Sequence, residues 1–167
     1  FGEYVPFPFS FIPGLSRMVG PVGNFTSGNA IYSFETKGEN NASICVVPLI
    51  CYEDIFPDLV MDIKTGKHSL LFVTTNDAWF GEEGCAEQHA AHSVIRALEA
   101  GLPVLRCGNA GWSGWISANG VKREILLNEK KSVYFEGAAV LELTVGKRVE
   151  TFYAKNGNYF VALCCVF

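Results

Sequence analysis

The sequence has no cluster of basic residues, no zinc-type cysteine spacing and no apolar run long enough to span a membrane. Its 13 lysines and arginines are outnumbered by 17 acidic residues, and the formal charge is -4. Because no segment gathers the basic residues into a patch, we do not expect nucleic acid as a partner. No Cys-x-x-Cys pair or Cys/His cluster occurs, so we expect neither a metal ion nor a cofactor.

The six cysteines do not have the pattern of a disulfide framework. Cys45 and Cys51 fall on one predicted strand, and roughly 20 Å of extended chain separates them. Two more, at positions 164 and 165, are adjacent. Cys85 and Cys107 remain possible partners, and the sequence alone leaves that bridge open.

Nearly half of the 167 residues are hydrophobic, which predicts one domain with a substantial core. The chain starts at Phe1 without an initiator methionine and already inside a motif, so we expect a fragment. It ends in the apolar segment 159–167, shorter than the ~20 residues of a membrane helix. Taken alone, this segment slightly favours a terminal element docked on the core over the start of a membrane helix.

Apolar segments alternate with helical patterns along the chain. Strands are predicted at residues 29–36, 43–50, 69–75, 104–107, 114–117 and 138–144, with a hairpin turn at Asn119-Gly120. Pro48 predicts a bulge, or a strand that pairs fully on one side only. Helical spacing predicts a short helix after Cys51 and a long one over residues 83–100. We therefore predict an α/β (α+β layered) fold.

The chemistry centres on Cys51-Tyr52-Glu53. A cysteine between a buried strand and a helix lies where the helix N-terminus favours the reactive thiolate. The alternative is that Cys51 is a small buried hydrophobe. Glu53 and Asp54 either serve a hydrogen-bonded polar cleft or are ordinary acids at a helix N-terminus, and local sequence favours both equally.

Four collinear motifs carry a resemblance to a known family. They are Phe1-Gly2-Glu3-Tyr4-Val5-Pro6, Phe25-Thr26-Ser27-Gly28, Ile50-Cys51-Tyr52-Glu53-Asp54-Ile55-Phe56-Pro57 and Asn76-Asp77-Ala78-Trp79-Phe80-Gly81. In order and spacing they resemble the apolipoprotein N-acyltransferases, membrane members of the nitrilase (carbon-nitrogen hydrolase) superfamily. The match continues through Gln88-His89, Arg106, Asn109 and Gly111 to the apolar tail.

The resemblance implies a nitrilase-like α-β-β-α sandwich, incomplete at its N-terminus. Residues 1–158 would form the C-terminal part of the catalytic domain, and residues 159–167 the start of a truncated membrane helix. It also implies a location on the outer (periplasmic) face of the bacterial cytoplasmic (inner) membrane. The implied reaction moves an acyl chain from a phospholipid, through a cysteine thioester, to the N-terminal amine of a diacylglyceryl-modified apolipoprotein.

The resemblance also implies roles for particular residues. Cys51 matches the nucleophile, and Glu3 matches a glutamate that supports the active site. Glu53 would orient the site, and the backbone N–H of Tyr52 would be an oxyanion donor. The family's general-base glutamate and its lysine belong to segments upstream of Phe1, so we expect the fragment alone to be inactive.

Aromatic residues near these motifs are candidates for substrate contact. Phe7 and Phe9 lie on a proline-rich loop that either faces lipid or folds back on the core, and its place after Glu3 favours lipid. Trp79 and Phe80 either line an acyl pocket or pack a turn, and Asn76 precedes them as a polar candidate. By contrast, we expect packed or solvent-facing roles for His89 and His92, and structural roles for Trp112 and Trp115.

Two other functions remain open. A soluble amidase or nitrilase would use the same thiol chemistry and let water resolve the acyl-enzyme. A non-catalytic domain would keep the fold for binding alone. The upstream sequence discriminates between these functions. Membrane helices there would exclude a soluble hydrolase, and absence of the glutamate and the lysine would exclude catalysis by this mechanism.

Overall fold

The computed structural model describes residues 28, 30, 32–61, 65–66, 68–82 and 84–165. The chain divides into two compact units, residues 1–30 and 31–167, and the elements below belong to the second. Glu3, Phe7 and Phe9 lie outside the described residues, so their predicted roles stay predictions.

The described residues form a six-stranded mixed sheet whose strands follow one another in chain order. The strands are β1 Phe34–Lys37, β2 Ser43–Ile50, β3 Ser69–Asn76, β4 Val104–Asn109, β5 Gly114–Ile116 and β6 Lys122–Ile125. β2, β3 and β4 are parallel, whereas β1, β5 and β6 join antiparallel. Because the carboxyl ends of parallel strands share one edge, the residues that follow β2, β3 and β4 are brought together there.

Helices connect the parallel strands. Helix α1, Pro57–Met61, lies between β2 and β3, and helix α2, Cys85–Ala100, lies between β3 and β4. Small residues of α2 are fully buried with alternate residues of the strands, in a core that includes Ala90, Ala97, Ala100, Val47, Leu49, Leu71, Val73 and Val104. Alanines let the helix approach the sheet closely, and each buried valine or leucine contributes roughly 1.5–3 kcal/mol.

The α/β class and most predicted elements are confirmed. β2 has the predicted bounds, β3, β4 and β5 agree within two residues, and β5 and β6 form the predicted hairpin through Gly120, whose φ is 77°. Pro48 has the predicted one-sided pairing. β1 pairs with β2 only as far as Val46, while β3 pairs with it through Pro48 and beyond.

The strand predicted at residues 138–144 is wrong, because that segment has no regular secondary structure. Leu141 and Leu143 are half-buried there, whereas residues 138–140, Glu142 and Thr144 are exposed. A strand also needs a partner with free backbone groups, and residues 138–144 pair with none of the described strands. The first strand is also shorter than predicted, since β1 begins only at Phe34.

Two short helices end the described chain, α3 at Phe152–Asn156 and α4 at Tyr159–Cys164. Every side chain of α4 is exposed. No helix of the described part combines the length and the apolar character needed to cross a bilayer.

Candidate active site

Cys51 lies at a strained turn at the carboxyl end of β2. It begins a 3-10 turn over Cys51–Ile55, and its φ of 51° is one that residues other than glycine rarely adopt. Such strain persists where the surrounding structure holds it, and it is concentrated at functional sites. The side chain is half-buried, and all six cysteines of the chain are free, including Cys85 and Cys107.

Glu53 holds this turn in place. Its Oε2 accepts a hydrogen bond from the backbone N–H of Ile50 at 2.7 Å, which closes a capping interaction around Cys51. The carboxylate is thus used by the backbone beside the thiol. Tyr52 points outward, 58% exposed, with its ring 6.3 Å from that of Phe56 and 6.1 Å from that of His89.

Large apolar side chains are exposed on both segments that leave this edge of the sheet. We call this set the apolar rim, and it consists of Ile50, Tyr52, Phe56, Trp79 and Phe80, each more than half exposed. The first three flank Cys51, and the last two lie on the 3-10 turn that follows β3. Trp79 is largely exposed and Phe80 about half exposed. Their predicted roles, to line an acyl pocket or to pack a turn, stay predictions.

Asn76 stabilises the turn that presents Trp79. Its side-chain oxygen accepts a hydrogen bond from the N–H of Ala78 at 3.4 Å and another from Asn109 Nδ2 at 2.9 Å. Since Asn76 and Asn109 are register partners on β3 and β4, this pair joins the ends of two parallel strands. The predicted contact of Asn76 with a substrate stays a prediction.

A buried ionic network lies behind the thiol. We call it the Asp-His-Arg network, and it consists of Asp54, Asp77, His89 and Arg106, with the Ser93 hydroxyl. Asp54 accepts from Arg106 Nη1 at 2.8 Å and from Ser93 Oγ at 2.5 Å, and lies 3.2 Å from His89 Nε2. His89 Nδ1 lies 2.7 Å from Asp77 Oδ1, so the imidazole bridges the two carboxylates.

The contacts of the network set its charges. Burial alone would lower the pKa of His89, but its hydrogen bonds to Asp54 and Asp77 raise the pKa to about 9. Burial would raise the pKa of Asp54 and of Asp77, and the hydrogen bonds from His89 and the charge of Arg106 outweigh it and lower both. At neutral pH the four groups carry two negative and two positive charges, which cancel.

Thr75 connects the network to Cys51. Its Oγ1 lies 2.9 Å from Asp77 Oδ1 and 3.5 Å from Cys51 Sγ. Thr75 is the register neighbour of the end of β2, since Ile50 pairs with Thr74. Parallel pairing of β2 with β3 is therefore what places a hydroxyl beside the thiol.

The opposite side of Asp77 is crowded by backbone. A Cβ on Gly111 would lie 2.3 Å from Asp77 Oδ2, so glycine is required for the carboxylate to fit. Asp77 Oδ2 and Arg106 Nη2 are 3.5 Å apart and form an ion pair without a hydrogen bond.

Sequence reasoning placed Cys51, Tyr52 and Glu53 together, and it missed the network. Asp54 was expected either in a polar cleft or at a helix N-terminus, and it is fully buried in an ionic cluster. His89 is packed, as predicted, but between two carboxylates. Nothing in the sequence indicated that Thr75 lies at the site. The available signal was that Asp54 and Asp77 lie on the turns that follow two apolar strands, where burial of an acid is costly unless buried cations accompany it. No cluster suited to a metal ion occurs in the part of the chain that the structure describes.

Comparisons with known proteins agree with this fold. The carbon-nitrogen hydrolase family profile matches residues 8–145. The apolipoprotein N-acyltransferase of Geobacter metallireducens is 32% identical over 98% of this chain. Those of Brucella suis and Rhizobium meliloti are 38% and 37% identical over 72% and 96% of it. The chain spans 29%, 22% and 30% of these three relatives, less than a third of their length. The predicted resemblance is thereby confirmed.

Solved structures share the fold at low sequence identity. An amidase from Nesterenkonia superposes with a TM-score of 0.52 at 16% identity, over 74% of this chain and 43% of that one. A cysteine-to-serine variant of the Nesterenkonia AN1 amidase, described as a nitrilase-superfamily enzyme, gives 0.52 at 15% identity over 84% of this chain and 50% of that one. The fold, the strained cysteine and the matching family profile together show that this chain belongs to the carbon-nitrogen hydrolase family.

Proposed function

We propose that this chain is the nucleophile-bearing part of an apolipoprotein N-acyltransferase. The observation that carries the proposal is the half-buried Cys51, held at a φ of 51° where a buried parallel strand ends. The relatives with 32–38% identity are named for this activity. As the resemblance implies, the substrates would be a phospholipid acyl donor and an apolipoprotein whose N-terminal cysteine carries diacylglyceryl.

The proposed reaction has two steps through Cys51. The thiolate attacks the ester carbonyl of the phospholipid, the thioester forms, and the lysophospholipid leaves with the proton that the thiol gave up. The apolipoprotein amine then attacks the thioester, loses a proton and releases Cys51. Splitting the transfer in this way replaces one difficult step with two easier ones.

Other residues of the proposal act around this sulfur. Glu53 holds the turn through Ile50, which suits an orienting role. The N–H of Tyr52 would donate to the oxyanion, and Glu3 would support the site. A glutamate and a lysine upstream of Phe1 would complete the machinery, as the resemblance implies.

The apolar rim suits an acyl substrate. Its five large side chains lie on the two segments at this edge of the sheet and are more than half exposed, and exposed apolar surface of this kind suits contact with lipid. Trp79 and Phe80 would contact the acyl chain, with Asn76 positioning their turn and Phe7 and Phe9 adding further apolar contacts. The proposal places the domain on the outer face of the bacterial cytoplasmic membrane.

The domain boundaries belong to the same proposal. Residues 1–158 would be the C-terminal part of the catalytic domain, and residues 159–167 would begin a membrane helix. The uniformly exposed apolar side chains of α4 support this assignment, because they gain no burial from the sheet or from α2.

Acyl-enzyme trapping tests the proposal. The full-length protein is incubated with a phospholipid whose acyl chain carries an alkyne, and the Cys51 peptide is examined by mass spectrometry for a hydroxylamine-sensitive thioester. We expect label on Cys51, transfer of that label to a diacylglyceryl peptide, and loss of both in Cys51→Ala.

Cys107→Ser is the matched control, because Cys107 is also free and is exposed. Its label should equal that of the wild type. Label that persists in Cys51→Ala rejects Cys51 as the nucleophile. If water hydrolyses the thioester at the same rate with and without the amine acceptor, the result would instead support a hydrolase.

A further inference from the structure

The Thr75 hydroxyl has two acceptors and one hydrogen. Its oxygen is 2.9 Å from the Asp77 carboxylate and 3.5 Å from Cys51 Sγ. A hydroxyl donates a single hydrogen bond, so it serves one acceptor at a time. While Cys51 is a neutral thiol, the ionised carboxylate is the stronger acceptor and takes the hydrogen.

Asp77 does not depend on Thr75 for a partner. The same Oδ1 is 2.7 Å from His89 Nδ1, and the raised pKa of His89, about 9, keeps that nitrogen protonated at neutral pH. Arg106 Nη2 lies 3.5 Å from the other oxygen. The hydroxyl can therefore turn away without leaving a buried carboxylate unpaired, which would be costly.

The charged groups on the elements around Cys51 carry no net positive charge. The described groups that face this region are Glu53 and Asp54 on the 3-10 turn, Asp77 after β3, His89 on α2 and Arg106 on β4. The two acids and two bases of the Asp-His-Arg network cancel, and Glu53 adds a negative charge. Stabilisation of a thiolate by the described residues must come from neutral donors.

We propose that Thr75 is a catalytic residue whose hydroxyl turns from Asp77 to donate to the Cys51 thiolate, with Asp77 and His89 as the positioning residues that hold it there. The inference rests on the proposed function for the role of Cys51 as nucleophile. The thiol proton leaves to the base of that reaction, the Thr75 O–H bond stays intact, and only its acceptor changes. When the thioester forms and the sulfur loses its charge, the hydroxyl returns to Asp77.

The pH dependence of Cys51 alkylation tests this without any acyl transfer. The full-length protein reacts with iodoacetamide between pH 5 and 10, and the modified Cys51 peptide is quantified by mass spectrometry. Thr75→Val keeps the side-chain shape and removes the donor. We expect its rate profile to move about one pH unit higher, so that alkylation at pH 7 falls about tenfold.

Thr75→Ser is the matched variant that keeps the hydroxyl, and its profile should stay within about 0.3 pH units of the wild type. Exposed Cys107 is the internal reference, and its rate should be the same in all variants. If Thr75→Val fails to fold, Thr75→Ala replaces it with the same expected shift.

An unshifted profile in the variant without the hydroxyl would overturn the inference, as would a serine variant that shifts as far as valine. Failure of the proposed function is distinguishable. If Cys51 carries no acyl group in trapping but its alkylation shifts with Thr75, the hydrogen bond stands and the acyltransferase reading falls.

Discussion

At the scale of single residues, ion pairs of nearly the same length differ in how much they stabilise the fold, because they differ in burial. Arg106 and Asp54 are 2.8 Å apart and fully buried, whereas Lys122 and Glu87 are 2.7 Å apart with side chains 33% and 55% exposed. Water screens the exposed pair, and its charges keep their hydration when separated. In the buried pair, loss of one partner leaves the other as an uncompensated charge.

Asp54→Asn should therefore lower the free energy of unfolding by about 3–5 kcal/mol, because Arg106 and His89 lose a buried counter-charge. Urea unfolding followed by circular dichroism measures this. Glu87→Gln removes a partner at the same distance from an exposed pair and should cost less than about 1 kcal/mol. Equal losses in the two variants would show that burial of the pair is not what matters.

Because the pKa of His89 is raised, the free energy of unfolding should fall as the pH rises into the alkaline range. Its folded pKa of about 9 lies above the ordinary 6.5, so the contribution is complete below pH 6.5 and is lost as pH rises through 9. The difference corresponds to roughly 3 kcal/mol. We expect wild-type stability to fall between pH 6.5 and 9 by that order, and His89→Gln to be flat across the same range.

Denaturant titrations at four pH values within that range would measure the effect. His92→Gln on the same helix is the control, and it should keep the wild-type slope, because the His92 side chain is not part of the Asp-His-Arg network. A wild-type slope retained in His89→Gln would assign the pH dependence to other groups.

At the scale of elements, the strands were predictable and their partners were not. Continuous apolar runs identify β2 and β3 because both faces of a parallel strand are covered. The network is different. His89 lies 35 residues from Asp54 and Arg106 lies 52 from it, so no local pattern joins them. The error at residues 138–144 has the same origin, since alternation reports burial and says nothing about a free strand edge.

The turn after β4 shows how an element depends on a distant one. Gly111→Ala should destabilise the protein by about 1–3 kcal/mol, because the added methyl would lie 2.3 Å from Asp77 Oδ2. Thermal unfolding would measure the loss. Gly146→Ala is the control, since nothing lies within 4 Å of its added Cβ and its φ is not positive. An alanine at 111 that is tolerated as well as one at 146 would mean that the Asp77 side chain is free to move.

At the scale of the whole molecule, parallel topology gathers the site at one edge. Residues after β2, β3 and β4 meet there although they are far apart in the sequence, and both the thiol and the apolar rim lie on segments that leave this edge. The sequence predicted the fold class, and the resemblance to a family implied a layered sandwich, but neither predicted the order of the strands. Outside that resemblance, a hydroxyl at Thr75 or a bridging imidazole at His89 had no signal, because each acquires its role from tertiary contact.

This arrangement makes Trp79 a reporter of lipid contact. The chain has three tryptophans, and Trp112 and Trp115 are buried while Trp79 is 79% exposed. If the apolar rim receives acyl chains, phosphatidylglycerol vesicles should shift the emission of Trp79 to shorter wavelength, and brominated acyl chains should quench it. Trp79→Phe should remove the part of both signals that comes from Trp79, since Trp112 and Trp115, the other indoles of this chain, are buried. Val140→Ser, which changes a fully exposed apolar residue outside the rim, should leave both unchanged. If lipid leaves the emission of Trp79 unchanged while acrylamide quenches it freely, the apolar rim faces water or another protein. The acyl donor would then have to reach Cys51 by another route.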